Sequence, residues 1–303
     1  KRGFGMDHGH RGLVLTATIM CRHIRPKRRQ KARPMAILLT HATVATMTEG
    51  YGLIDDAAVV TEGDCIAWIG QMCDLPKAHH ALPAHDCAGR LVTPGLIDCH
   101  SHIVFGGHRA SEFEMRLNGA SYEEVARAGG GILSTVTATR AASEADLLAS
   151  ALARADMMIA AGATTIEVKS GYGLTLEDEL KMLRVARQIA NHRPLRVLTT
   201  HLAAHAIPPE YKGRSDAYID EVAIPSQHSA HAEGLIDAVD AFCEGIAFSP
   251  AQVARLFQAA KSMGLPIKLH AEQLSDLKGA VLAAGMGALS CDHVEYIGAD
   301  GVA

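Results

Sequence analysis

The chain has 303 residues, 48% of them hydrophobic and 20% charged, with a formal net charge of -4 at pH 7. That length can form one large α/β domain or two ordinary ones around a sizeable core. The weak acidity argues against a nucleic-acid partner or an anionic membrane surface, and no apolar run approaches the ~20 residues of a membrane-spanning helix.

The first 34 residues differ from the rest. "RHIRPKRRQKARP" (22–34) is rich in Arg and Lys and has no acid. It lacks the serines and amphipathic pattern of a mitochondrial presequence. Because the chain opens on Lys1, a start at Met35 with upstream sequence translated before it is the expectation, and residues 1–34 are expected to be a disordered basic extension. "DHGHR" (7–11) contains an H-x-H, but no apolar run precedes it to hold the imidazoles in place.

From Met35, "AILLTHATVATM" reads as a strand. "DDAAVVTEGDCIAWIG" reads as two short strands split by Glu62-Gly63-Asp64, which is hairpin chemistry. Residues 35–92 are therefore expected to form a small β domain, with Trp68 in its core. After Thr93-Pro94-Gly95 the rhythm becomes strand, loop, long helix, over residues 93–303. Strands are expected at "LIDCH" (96–100), "TTIEVK" (164–169), "LRVLTTHL" (195–202), "AVDAFC" (238–243), "PIKLHA" (266–271) and "ALSCDHV" (288–294). Helices between them show Ser143, Thr175 and Ser249 at their starts and Gly162 and Gly264 past their ends. Repeated β-α units imply a parallel sheet, either an α/β barrel or an open doubly wound sheet. No G-x-G-x-x-G follows a strand to support the open form.

The seven cysteines (Cys21, Cys65, Cys73, Cys87, Cys99, Cys243 and Cys291) form no C-x-x-C pair. This is the usage of a reducing cytoplasm. Cys99 lies between two histidines that face the other way, so it is expected to point outward.

The histidines carry the chemistry. His100 and His102 end the first barrel strand two residues apart, so both face one side. His201 and His205 follow the third strand, His270 ends the fifth and His293 the sixth. A single histidine in such a place is commonly structural, but barrel enzymes build their sites at the C-terminal ends of strands. His100, His102 and His270 would make three nitrogen ligands for zinc or iron.

"TPGLIDCHSH" (93–102) resembles the first-strand signature of the amidohydrolase superfamily. "HIVFGGHRASEFEMRLNGASYEEVARAGGGI", "EVKSGYGL", "LAAHAIPPEYKGR", "FCEGIAFS" and "LHAEQLS" resemble the imidazolonepropionase family within it, over Met35 to Ala303. The resemblance implies a metal-dependent TIM-type (β/α)8 barrel beside a small β-sandwich-like domain. It implies hydrolysis of the cyclic amide C–N bond of 4-imidazolone-5-propanoate to N-formimidoyl-L-glutamate, in histidine degradation. Carried onto this sequence, it makes His100, His102 and His270 the ligands of one Zn2+ or Fe3+ ion, which would activate water for attack on the ring carbonyl. It makes Arg109, Tyr172, His205 and Gln273 substrate contacts, and His293 a histidine beside the metal water. Arg109 suits a propionate tail, since a guanidinium fork matches a carboxylate. Glu272, expected on the same strand face as His270, is a second candidate proton carrier. His201, inside its strand, is expected to be structural. Lys169 ends the second strand, and the fourth ends "FCEG" without the lysine of dinuclear relatives, which favours one metal.

The family pattern places an aspartate ligand after an eighth strand, whereas this sequence stops at "EYIGADGVA", after the sixth. The expectation is a barrel truncated after about six strands, with Asp292 or Glu272 the acids at hand, and a chain inactive by itself. Alternatives are another mononuclear amidohydrolase, such as a purine aminohydrolase, or an inactive fragment acting only as a binding protein. Arg109 and Tyr172 argue against a neutral purine. The partner is thus a small molecule, with no nucleic acid and no membrane, and the resemblance leaves room for a homodimer.

Overall fold

The computed structural model describes residues 36–119 and 131–303. The basic extension, its H-x-H and Cys21 lie outside the described residues. The chain divides into two compact units, one ending at Leu96 and the other running from Ile97 to Ala303.

The first unit is a five-stranded sheet. β1 (Ala36–Ala45) pairs antiparallel with β2 (Leu53–Glu62), which pairs antiparallel with β3 (Cys65–Gln71) through the expected hairpin. β4 (Ala84–Asp86) and β5 (Leu91–Val92) both run parallel to β1. Register shifts between Leu39 and Val44 interrupt the alternation of β1, and both its faces are covered. Leu39, Ala42 and Val44 pack with Ala57, Val59 and Cys87, while Leu38 packs with Ala58, Val60 and Leu75. Trp68 lies against the second of these clusters, half-buried.

The second unit holds six strands in chain order: β6 (Leu96–Ser101), β7 (Ala163–Lys169), β8 (Arg196–Ala204), β9 (Ala238–Cys243), β10 (Lys268–Ala271) and β11 (Ser290–His293). The pairs from β7 to β11 are parallel. β10 begins two residues later than expected from the sequence. The sheet rolls into a nearly closed barrel, in which β6 is met by side chains from β11 and β10. His100 Nδ1 on β6 is 3.0 Å from Asp292 Oδ2 on β11, and Lys268 Nζ on β10 donates to the Cys99 carbonyl at 3.0 Å.

Strand alternation sorts the side chains. On β7, Ile166 and Val168 pack on Leu147, Ala151, Met182 and Ile189 of the flanking helices, while Glu167 and Lys169 meet charged groups from other strands inside the barrel.

Helices follow the strands: α1 (Ala110–Leu117), α2 (Ile132–Ala141), α3 (Glu144–Ala160), α4 (Leu176–His192), α5 (Ser215–Tyr218), α6 (Ile224–Ala232), α7 (Pro250–Ser262), α8 (Gly279–Gly285) and α9 (Ala299–Val302). Their starts are chemically marked. Ser143 and Thr175 accept the backbone N–H of Asp146 and Asp178. Ser249 and Gln252 form a reciprocal capping box with Pro250 at the first helical position. Among the described residues, no helix is long and apolar enough to cross a membrane. All six described cysteines are free, and Cys99 is exposed as expected.

Candidate metal centre

Three imidazoles converge at the C-terminal mouth of the barrel. Suitable ring nitrogens of His100, His102 and His270 lie within 4.8 Å of one another. His100 Nε2 and His102 Nε2 are 3.3 Å apart. Two ligand nitrogens at Zn–N distances of ~2.0–2.1 Å span a tetrahedral edge of about 3.3–3.4 Å, so this spacing suits a shared ion. The buried atoms agree. Neither ring nitrogen of His270 has a hydrogen-bond partner among the described residues; Nδ1 lies 3.0 Å from a carboxylate oxygen of Asp240, so Nε2 is the buried polar atom left for a ligand. His270 is 3% exposed. Burial first, then the surrounding His205, His270 and His100, hold the His102 pKa well below the ordinary histidine value, which keeps it neutral and free to ligate.

Beneath the histidines lies a buried ionic cluster. Asp240 on β9 is fully buried and Asp292 on β11 half-buried. Asp240 Oδ2 lies 3.0 Å from His270 Nδ1, and Lys268 Nζ bonds Glu167. Burial opposes ionisation of both aspartates. His270 and Lys169 nonetheless hold the Asp240 carboxyl far below the usual range, and His100 with the two lysines does the same for Asp292. Asp240 was not among the residues singled out from the sequence. A carboxylate in the middle of the apolar strand "AVDAFC" was the signal that could have found it.

Of the substrate candidates, His205 and Tyr172 line one side of the cluster. His205 stacks on His102, with ring centroids 5.2 Å apart and planes 15° apart. Its Nδ1 is 3.0 Å from the Gly171 carbonyl, so Nδ1 carries the proton and Nε2 is left as an acceptor. Burial, reinforced by His270, lowers its pKa to about 4. The Tyr172 ring lies 5.3 Å from His205 and 5.7 Å from His102. Burial raises its hydroxyl pKa against the pull of the Arg109 charge, which is thereby felt at the same place. Arg109 is exposed, and its Nε donates to Thr135 Oγ1 at 3.0 Å. His293 completes the rim, 5.3 Å from His270 and 5.5 Å from His100 between ring centroids. Burial and then His270 lower its pKa. Gln273 is half-buried just past β10.

Glu272 does not join this group. The shared face expected with His270 assumes that the strand continues, but β10 ends at Ala271 and Glu272 has φ +50°. The turn sends its carboxylate to the start of α8, where it accepts the N–H groups of Gly279 at 2.6 Å and Ala280 at 3.0 Å. It is a structural acid at a helix N-terminus. His201 is structural as expected, fully buried with Nε2 on Ser226 Oγ at 2.9 Å.

The loop carrying Tyr172 is held by a residue that the sequence did not reveal. Glu179, fully buried on α4, accepts the N–H groups of Gly171 (3.0 Å), Gly173 (2.8 Å) and Leu174 (2.8 Å). Gly171 has φ +106°, and a Cβ there would lie 2.7 Å from the Leu202 carbonyl and 2.9 Å from the His205 ring. Gly171→Ala should therefore cost about 1–3 kcal/mol in backbone strain before the clash is added, and displace His205. Urea denaturation checks the first effect, and the position of the His205 ring in a crystal structure of the variant the second.

Residues 84–297 match the model of the amidohydrolase family. Curated imidazolonepropionases are similar over most of the chain. That of Roseobacter denitrificans is 65% identical over 262 residues, covering 86% of this chain and 66% of the relative. That of Ruegeria pomeroyi is 62% identical over 273 residues, covering 89% and 68%. The chain spans about two thirds of the length of these curated relatives. Among solved structures, A. niger ochratoxinase aligns with a TM-score of 0.60 at 16% identity, over 89% of this chain and 63% of that one. The 5-methylcytosine deaminase of Klebsiella pneumoniae aligns with a TM-score of 0.58 at 16% identity, over 85% and 59%. At such identity these two speak for the barrel alone. By the family match and the curated relatives together, the chain belongs to the amidohydrolase family and, within it, to the imidazolonepropionases.

Proposed function

We propose that the barrel unit, taken from about residue 93 onward, carries metal-dependent hydrolysis of the cyclic amide of 4-imidazolone-5-propanoate to N-formimidoyl-L-glutamate, in the cytoplasm. The observation that carries this reading is the convergence of His100, His102 and His270 on one point, with buried ring nitrogens lacking partners. Family membership calls for a metal ion, and this donor set suits one Zn2+ or Fe3+. A bound ion supplies Lewis-acid activation of water and of the ring carbonyl. The chain's residues do the rest. Arg109 and Tyr172 hold the propionate, and His205, with Nε2 unprotonated, accepts a hydrogen bond from a ring N–H. Gln273 adds an amide contact. His293, whose pKa burial and His270 lower, lies beside His100 and His270, and in this reading it takes a proton from water and returns it to the departing ring nitrogen. The reading calls for no nucleic-acid or membrane partner and is compatible with a homodimer.

Full-length enzyme loaded with zinc or iron should consume 4-imidazolone-5-propanoate and yield N-formimidoyl-L-glutamate. No turnover by protein holding one ion per chain would overturn the assignment. Arg109→Lys tests the substrate pose. Lysine offers a point charge in place of a planar fork, and losing a charged hydrogen bond of ~1.5–3 kcal/mol should raise the Michaelis constant roughly tenfold or more. An unchanged constant would remove Arg109 from the site.

A further inference from the structure

β7 ends on Lys169, whose side chain is completely buried. Its ammonium has three acceptors for three hydrogens: Asp240 Oδ2 at 2.7 Å, Asp292 Oδ2 at 3.2 Å and Glu167 Oε1 at 3.2 Å. Two of these oxygens are used a second time. Asp240 Oδ2 is 3.0 Å from His270 Nδ1, and Asp292 Oδ2 is 3.0 Å from His100 Nδ1. One ammonium therefore stands behind two of the three candidate ligands through two matching chains, Lys169–Asp240–His270 and Lys169–Asp292–His100.

We propose that Lys169 is a positioning residue for the metal centre: by anchoring Asp240 and Asp292 together, it fixes His100 and His270 with the proton on Nδ1 and the lone pair on Nε2. These are ion-pair distances, 3.0 Å each, and an ionised carboxylate oxygen this near a ring nitrogen repels a lone pair, so each contact favours the proton on Nδ1. A carboxylate–histidine pair of this kind orients a ligating ring. What is particular here is that one buried lysine reaches both carboxylates, Lys268 Nζ lying farther from Asp292 Oδ2 at 3.9 Å. Glu167 does not need it, because Lys268 Nζ bonds the other oxygen of Glu167. The proposal rests on the reading of His100, His102 and His270 as the ligands.

Three measurements test it. In the metal-free parent, 15N NMR of the imidazoles should show His100 and His270 protonated at Nδ1; a proton on Nε2 of either overturns the proposal whatever the variants do. Lys169→Met should weaken zinc binding about 10–100-fold in competition with a chelator, the range for lost outer partners of metal ligands. That change also leaves an unbalanced buried charge, so Lys169→Met with Glu167→Gln serves as the control. The pair removes one charge of each sign but does not restore the anchor. The double variant should recover the parent's thermal midpoint and keep the weakened zinc affinity. Recovery of both would make Lys169 merely structural and overturn the proposal. If neither variant folds, the NMR tautomers decide alone. Failure of the parent to bind zinc at all would instead defeat the metal-centre reading, which the tautomers of the metal-free protein do not depend on.

Discussion

His270→Ala is expected to abolish stoichiometric metal binding and, with it, ring hydrolysis by the full-length enzyme. Loss of an outer partner of a metal ligand costs 10–100-fold in affinity, and loss of a ligand itself should exceed about 100-fold. Two features make His270 the sharpest choice. It is buried with Nε2 unpartnered among the described residues, so its ring has no evident work besides ligation. Its ring also lies 4.6 Å from His100 and 5.8 Å from His102 between centroids, so it joins β10 to the pair on β6. Metal analysis of the purified variant by mass spectrometry checks the result. One ion per chain in the variant would take His270 out of the ligand set.

Glu179→Ala should have the largest effect on stability. The carboxylate is fully buried and takes three backbone N–H groups of one loop. Each unsatisfied buried donor costs about 1–3 kcal/mol. Water entering the vacated space will satisfy part of this, so a net loss of about 3–5 kcal/mol is expected. Glu179→Gln should fall between variant and parent, because its amide must turn an N–H toward another N–H. The same loop carries Tyr172 and supplies the Gly171 carbonyl to His205. Destabilisation should therefore come with a raised Michaelis constant in the full-length enzyme. Urea unfolding and steady-state kinetics check the two parts. A fall in stability of under 1 kcal/mol would show that the loop keeps its shape without the carboxylate.

These cases mark what sequence reasoning could reach. His100 and His102 were legible because strand alternation is local: two residues apart on an apolar run means one face. His270 and His293 were legible through their shared place at strand ends. The helix starts at Ser143, Thr175 and Ser249 were legible because an N-cap is a contact across three residues. Glu272 failed for the same local reason, since its inclusion assumed a strand that ends one residue earlier. Asp240 and Glu179 were not legible in role. Their carboxylates act on groups that only the rolled sheet or a folded loop brings near, such as His270 thirty residues on or the amides of Gly171 and Gly173. The pairing of the charges inside "TTIEVK", "AVDAFC" and "PIKLHA" is a tertiary fact.

The central claim is that one ion sits between three imidazoles. Anomalous X-ray diffraction at the zinc or iron edge, from crystals of the metal-loaded protein, tests it most directly. The account predicts a single strong peak within ~2.0–2.2 Å of Nε2 of His100, His102 and His270. A peak elsewhere, or ring nitrogens of these three histidines turned to separate regions around an empty centre, would contradict it.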